Sequence, residues 1–236
     1  MGRAFEYRKA AKEKRWGTMS RVFPRLAKAI TVAAKDGVPD PDMNAKLRAA
    51  IQNAKAQNMP KDNIDAAIKR ATSKDTADMK EISYEGKGPH GVLIMVETAT
   101  DNNTRTVANI RNYFNKHNGQ PLDNGSLEFM FTRKAVFEFI LPEGMDAEEL
   151  ELNLIDAGLE ELDIDGDSVI AYSEFSAFGD LAKALEAEGI EVTKSHLKRI
   201  PNTSVTLTES QMDEVDILID KIEEDEDVLA VYTNIE

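Results

Sequence analysis

The run Tyr84-Glu85-Gly86-Lys87-Gly88-Pro89-His90-Gly91 limits the possible folds of this chain more than any other stretch. Glycine supplies positive φ and proline presets its own φ, so three glycines and a proline so close together impose a chain reversal. The spacing also spells G-x-G-x-x-G, but a dinucleotide fingerprint needs a strand before it and a helix directly after it. Here the apolar run Val92-Leu93-Ile94-Met95-Val96 follows instead. The glycines therefore read as a turn between two strands, expected near 81–85 and 92–98.

Next comes Asp101-Asn102-Asn103-Thr104-Arg105-Thr106. Asp101 can cap a helix over 102–117 whose apolar face is Val107, Ile110, Phe114 and His117. Arg105 then falls in the first turn, where a cation opposes the helix dipole and needs a compensating anion. Asp101, four residues earlier, is one candidate. A phosphate or carboxylate held with help from the helix-end amides is the other.

The net charge of -14 hides a division along the 236 residues. Residues 1–80 carry 18 Lys and Arg against 9 Asp and Glu, residues 81–134 carry 6 and 6, and residues 135–236 carry 5 and 28. A basic start suggests a polyanion as partner, and an acidic remainder must face away from that polyanion or meet a basic protein. There is no cysteine, which excludes disulfides, thiolate metal sites and a thiol nucleophile, and suits a reducing compartment. No segment approaches the length of a membrane span and the start is charged, so we expect a cytoplasmic protein without membrane contact.

Taken in order, residues 5–16 read as a helix with Arg8, Lys12 and Arg15 aligned and Lys9 beside them. A second helix runs from about 20 to 35, with Phe23, Leu26, Ile30 and Ala33 inward and Arg21, Arg25, Lys28 and Lys35 as a basic stripe. Asp40-Pro41 reads as cap and first residue of a third helix, and Pro60 opens a fourth. Trp16 and Tyr7 read either as packing residues or as platforms for an unpaired base. The polar stretch 72–78 reads as a linker.

After the turn and its helix, a strand is expected near 126–131 and a boundary at Arg133-Lys134. A strand at 136–141, an Asp146-capped helix, a hairpin about Asp165-Gly166, a helix over 178–188 and a strand over 190–200 then give the order β-α-β-β-α-β, which is ferredoxin-like. A strand at 203–207, a helix opened by a Thr208–Gln211 capping box with Met212, Val215, Ile219 and Ile222 inward, and a strand at 228–232 complete the chain. The fold class is α+β: a helical domain at 1–75, a discontinuous middle domain at 81–133 plus 203–236, and the ferredoxin-like domain, 134–202, inserted into it.

No catalytic constellation emerges. Asp163, Asp165, Asp167 and Glu174 echo a calcium loop, but Ser168 stands where glycine is required and the alternation that follows is that of a strand. His90, His117 and His196 are scattered, and no nucleophile elbow is present. The run Glu223-Glu224-Asp225-Glu226-Asp227 reads as a solvated helix end. We expect neither enzyme activity nor a cofactor, metal or small-molecule substrate.

Several quoted motifs resemble the YebC/PmpR family when taken together: residues 84–91, Asp101-Asn102-x-x-Arg105-Thr106, Asn118-Gly119, Gly125-Ser126 with Phe131, and upstream Leu47-Arg48-Ala49-Ala50-Ile51 and Asn58-Met59-Pro60-Lys61-Asp62-Asn63-Ile64. The chain departs at its start, where Gly2-Arg3-Ala4-Phe5-Glu6-Tyr7 replaces the Gly-His-Ser-Lys-Trp that opens most members. The resemblance implies the same three-domain layout and a regulator of gene expression that acts on DNA, with the ribosome and its RNA as the alternative target and ribosomal proteins as possible neighbours. An acidic protein-interaction module that binds no nucleic acid is a further reading. The residues expected to meet phosphate are Arg8, Lys9, Lys12, Arg15, Arg21, Arg25 and Lys28, with Lys69, Arg70 and Arg105.

Overall fold

A computed structural model describes residues 19–72 and 79–236. The expected helix at 5–16, with Tyr7 and Trp16, and most of the expected linker lie outside them. Two compact units make up the described chain: residues 19–32, 79–132 and 200–236 in the first, and 33–72 and 133–199 in the second.

In the first unit the glycine-rich reversal joins β1 (Lys80–Lys87) to β2 (Leu93–Thr100), which pair antiparallel. Pro89–Gly91 forms a single 3-10 turn there, with His90 at φ 59° and Gly91 at φ 79°. The sheet order is β3-β1-β2-β8, where β3 is Gln120–Leu122 and β8 is Val228–Thr233. On one face Tyr84, Ile94 and Val96 pack against Ile110 and Phe114 of α4 (Asn103–Lys116) and Val215, Leu218 and Ile222 of α7 (Glu209–Glu223). On the other face Leu93 and Met95 are covered by Leu127 and Phe131. Burial on both sides explains why residues 92–96 are unbroken apolar sequence instead of alternating. Gly86 is required by close approach, because a Cβ there would lie 2.3 Å from the Phe114 ring.

The loop that covers the second face is fastened by Glu85, which is only 4 % exposed. Its carboxylate accepts the Gly125 N–H at 2.8 Å and the Leu127 N–H at 2.5 Å. A buried carboxylate is costly unless its oxygens are satisfied, and two backbone donors do that here.

The second unit contains β4 (Phe131–Ile140), α5 (Ala147–Ile155), β5 (Leu159–Asp165), β6 (Ser168–Glu174), α6 (Phe178–Ala187) and β7 (Val192–Pro201). Their sheet order, β5-β6-β4-β7, is the ferredoxin-like arrangement. Phe137, Phe139, Leu150, Leu154, Leu181 and Leu185 form its core, with the Phe137 and Phe178 rings stacked at 4.9 Å. Asp146 caps α5, Gly166 turns the β5–β6 hairpin at φ 65°, and Gly189 follows α6 at φ 74°. The fold is α+β, as read, and the stretch proposed and dismissed as a calcium loop is this hairpin. Also in this unit are α2 (Ala45–Ala56) and α3 (Lys61–Ala71), the latter opened by Pro60.

Four local expectations are corrected, and one short strand, β3, is added. The α2 helix begins at Ala45 and not at Pro41, because Asn44 caps it: the Asn44 Oδ1 accepts from Leu47 N while its amide donates to the Ala33 and Val38 carbonyls. Asn102, not Asp101, caps α4 by accepting from Arg105 N at 3.1 Å. The strand expected at 126–131 is a 3-10 turn at Glu128–Met130 that leads into β4. In place of a strand at 203–207 there is one parallel bridge, Val205 to Ile235. The short β3 had no alternation long enough to reveal it.

Replacing Gly86 by alanine should lower stability by about 2 kcal/mol, within the usual range for overpacking. Urea unfolding should show the midpoint fall with an unchanged slope.

Candidate nucleic-acid interface

Helix α1 (Met19–Lys35) carries the part of the basic stripe that the structure describes. Arg25 and Lys28 are neighbours one turn apart, and both are engaged within the first unit. The Arg25 guanidinium donates to the carbonyl of Glu223, the last residue of α7, at 2.5 Å. Helix C-terminal carbonyls are unpaired within their own helix and carry the negative end of its dipole, so a guanidinium is a suitable cap. Burial pulls the Arg25 pKa down and the Glu223 charge opposes that shift. Lys28 Nζ donates to the Glu226 carbonyl at 2.9 Å and to Asp227 Oδ1 at 2.8 Å.

Asp227 is the centre of this site, with its side chain 5 % exposed. Arg105 approaches its Oδ2 at 2.8 Å and also pairs with Asp101 at 3.0 Å. The hydroxyls of Thr106 and Thr100 lie 2.7 and 3.0 Å from the same oxygen, and 2.7 Å from each other. Each hydroxyl has one proton, so these contacts are alternatives shared among the three groups. Burial by itself raises the Asp227 pKa, but hydrogen bonds from Lys28, Arg105 and Thr106 outweigh it and hold the carboxyl well below the usual carboxylate range. The hydrogen bond to Asp227 is also the main reason that the Arg105 pKa is raised. The anion demanded by Arg105 is thus protein carboxylate on both sides.

Around this centre the C-terminal end of α7 continues the network. Asp225 accepts from the Asn109 amide and the Tyr113 hydroxyl, each at 3.0 Å. Burial, with the charge of Asp225 behind it, pushes the Tyr113 pKa up to about 12. The run 223–227 is therefore not a wholly solvated helix end: Glu224 and Glu226 are exposed while Asp227 is buried. Sequence reading missed Asp227, Thr100 and Thr106. The available signal was two threonines flanking the Asp-Asn-x-x-Arg pattern, and a carboxylate placed directly before the apolar strand 228–232.

The other expected phosphate contacts are dispersed. Lys69 and Arg70 are exposed in the last turn of α3, where cations suit the helix dipole. Arg21 belongs to the first turn of α1. Arg8, Lys9, Lys12 and Arg15 lie outside the described residues. The three histidines do not converge: His90 pairs with Glu214 at 3.1 Å, His117 ends α4, and His196 of β7 lies beside Glu138 of β4. Among the described residues no group of three His, Asp or Glu is placed to hold a metal ion, and no helix is long and apolar enough to cross a membrane.

A family model described as the TACO1/YebC second and third domain matches residues 79–235. A second model, the TACO1/YebC protein N-terminal domain, matches residues 3–74. The chain belongs to the TACO1/YebC family. Its curated relatives include a protein of Wolinella succinogenes, 62 % identical over 238 residues, and one of Campylobacter jejuni, 59 % identical over 236, each alignment covering both chains in full. Both relatives are named "probable transcriptional regulatory protein". Among solved structures, a conserved hypothetical protein of Aquifex aeolicus is similar with a TM-score of 0.78 and 32 % identity, covering 93 % of this chain and 91 % of that one.

The TACO1/YebC chain should depend strongly on Asp227. Asp227→Asn removes the charge facing Lys28 and should cost about 3 kcal/mol, as breaking a buried pair does. The sign with pH follows from the depressed carboxyl: its contribution is complete above the unfolded-state pKa of about 4 and is lost as pH falls below it. Chemical denaturation between pH 7 and pH 2 should therefore show the gap between wild type and variant narrowing on acidification.

Proposed function

We propose that this protein is a cytoplasmic DNA-binding regulator of gene expression that contacts phosphates through its basic N-terminal part. The observation that carries this reading is the distribution of charge: residues 1–80 hold 18 Lys and Arg against 9 Asp and Glu, whereas the whole chain is at -14. A basic segment attached to an acidic body is retained against self-attraction most readily when it has a polyanion to meet. The regulatory names of the relatives support the same class of function. The break between the two family models, at residues 74 and 79, supports a separate N-terminal domain within the proposed layout of 1–75, 81–133 with 203–236, and 134–202.

Three of the expected contacts also have a structural role. Arg25, Lys28 and Arg105 have protein partners that a phosphate would have to displace. We assign these three to holding α1 and α4 in place, and the direct phosphate contacts to Arg8, Lys9, Lys12, Arg15 and Arg21, with Lys69 and Arg70 as further contacts. Phosphate contacts carry no sequence information, so these residues set affinity and orientation on the nucleic acid.

A second reading, a ribosome-associated translation factor bound to ribosomal RNA, is favoured by the acidity of residues 135–236, with 28 Asp and Glu against 5 Lys and Arg. A surface of that sign suits the basic proteins that accompany ribosomal RNA.

The test compares wild type with an Arg8→Glu, Lys12→Glu, Arg15→Glu variant by anisotropy on duplex DNA and on ribosomal RNA over a salt series. Loss of about three phosphate contacts should flatten the slope of log K against log salt on DNA by roughly 2–3. Lys28→Met should lower stability while leaving that slope unchanged. Tight binding to ribosomal RNA with only weak binding to duplex DNA would transfer the assignment to the second reading, and equal slopes for wild type and the triple variant would reject both.

A further inference from the structure

The outer face of α5 has no evident role in holding the second unit together. Leu150 and Leu154 point into the core and are buried, whereas Leu152 is 69 % exposed and Ile155 is 52 % exposed. Positions three apart on a helix are neighbours, so these two side chains form one apolar patch directed away from the sheet. Single exposed apolar side chains are ordinary on a surface, but here two occupy adjacent turns of one helix face among carboxylates, which makes a continuous patch.

The surroundings of this patch specify the chemistry that would cover it. From Asp146 to Asp167 the sequence holds ten carboxylates and no lysine or arginine. Glu148, Glu149 and Glu151 belong to α5 itself and are exposed, and Glu160 pairs with Lys134 of β4. Ten like charges on one helix, turn and edge strand repel one another and create a field that attracts cations. A polyanion is excluded from such a face. We propose that the outer face of α5 is a docking surface for a basic, amphipathic protein segment, whose apolar side chains cover Leu152 and Ile155 while its lysines and arginines meet Glu148, Glu149 and Glu151. The contact is a pairing of two amphipathic faces, in which apolar anchors supply the affinity and the acidic rim supplies orientation and association rate. The inference does not rest on nucleic-acid binding by the N-terminal part, and it gives the acidic domain an occupant of opposite sign.

The experiment uses the full chain and two fluorescent probes: an 18-residue amphipathic Lys/Leu helical peptide and an oligolysine of equal charge. Three proteins are titrated: wild type, Leu152→Ser/Ile155→Ser, and Glu148→Lys/Glu149→Lys/Glu151→Lys. The Lys/Leu peptide should saturate wild type, with affinity reduced tenfold or more by either set of substitutions. Oligolysine should be weakened by charge reversal and unaffected by the serine pair. Circular dichroism of both variants controls for folding. Equal affinity of the Lys/Leu peptide for wild type and the serine pair would overturn the proposal, because the patch would then be charge alone. As a second measurement, a photo-crosslinker at Leu152 in cells should capture a protein of isoelectric point above about 9, and the adduct should disappear on charge reversal. A second copy of this chain, a nuclease-sensitive adduct or no adduct would overturn it. The serine pair should leave DNA or RNA affinity unchanged, which separates failure here from failure of the nucleic-acid reading.

Discussion

The first unit depends on one carboxylate. Asp227 joins the end of β2 through Thr100, the start of α4 through Arg105 and Thr106, and α1 through Lys28. Lys28, the 100–106 stretch and Asp227 are each more than 70 residues apart in sequence, and ordering them has a conformational cost that no single surface ion pair offsets. Burial changes the balance, because an anion removed from water holds its partners tightly and each missing partner is costly. Arg105 in the first turn of a helix is unfavourable in isolation, and it becomes favourable through the two carboxylates beside it.

The same centre changes the meaning of the basic stripe. In the sequence Arg21, Arg25 and Lys28 form a single row, and nothing distinguishes one cation from the next. In the folded chain Arg25 is turned to the Glu223 carbonyl at the end of α7 and Lys28 to the Asp227 carboxylate. Two members of that row thus fix the helix as much as they add to its charge. Charge counting over a segment gives the sign of a partner, but only the contacts determine which side chains can reach it.

Much of the fold was legible because several signals agreed. The glycine turn, the Asp146 and Thr208 caps and the Gly166 hairpin each combine backbone chemistry with a change of hydrophobic period, and each lies where expected. The failures share a different cause. At the starts of both α2 and α4 an asparagine stands near the aspartate and takes the cap; Asn44 prevails because its amide also donates to two carbonyls, and Asn102 because it lies three residues before the Arg105 N–H that it accepts. The short β3 and the 3-10 turn before β4 depend on tertiary covering of the sheet, which leaves no periodic trace. Asp227 was illegible as a buried residue because four neighbouring acids hid it in an apparently solvated run, and only long-range partners distinguish it from them.

Glu85 and Gly166 differ in what they allow the chain to accommodate. Both oxygens of the Glu85 carboxylate are occupied by backbone N–H groups of the loop at 125–127, so the length and path of that loop are fixed from within the sheet. The Gly166 turn connects two strands already paired with each other, so their register does not depend on its length. Length variation should therefore accumulate at the hairpin and be suppressed at the loop, although both are surface turns rich in glycine and aspartate. For anyone adding a fluorophore, an affinity tag or a small inserted domain, the tip at Gly166 is the permissive site and the loop at Gly125 is the forbidden one.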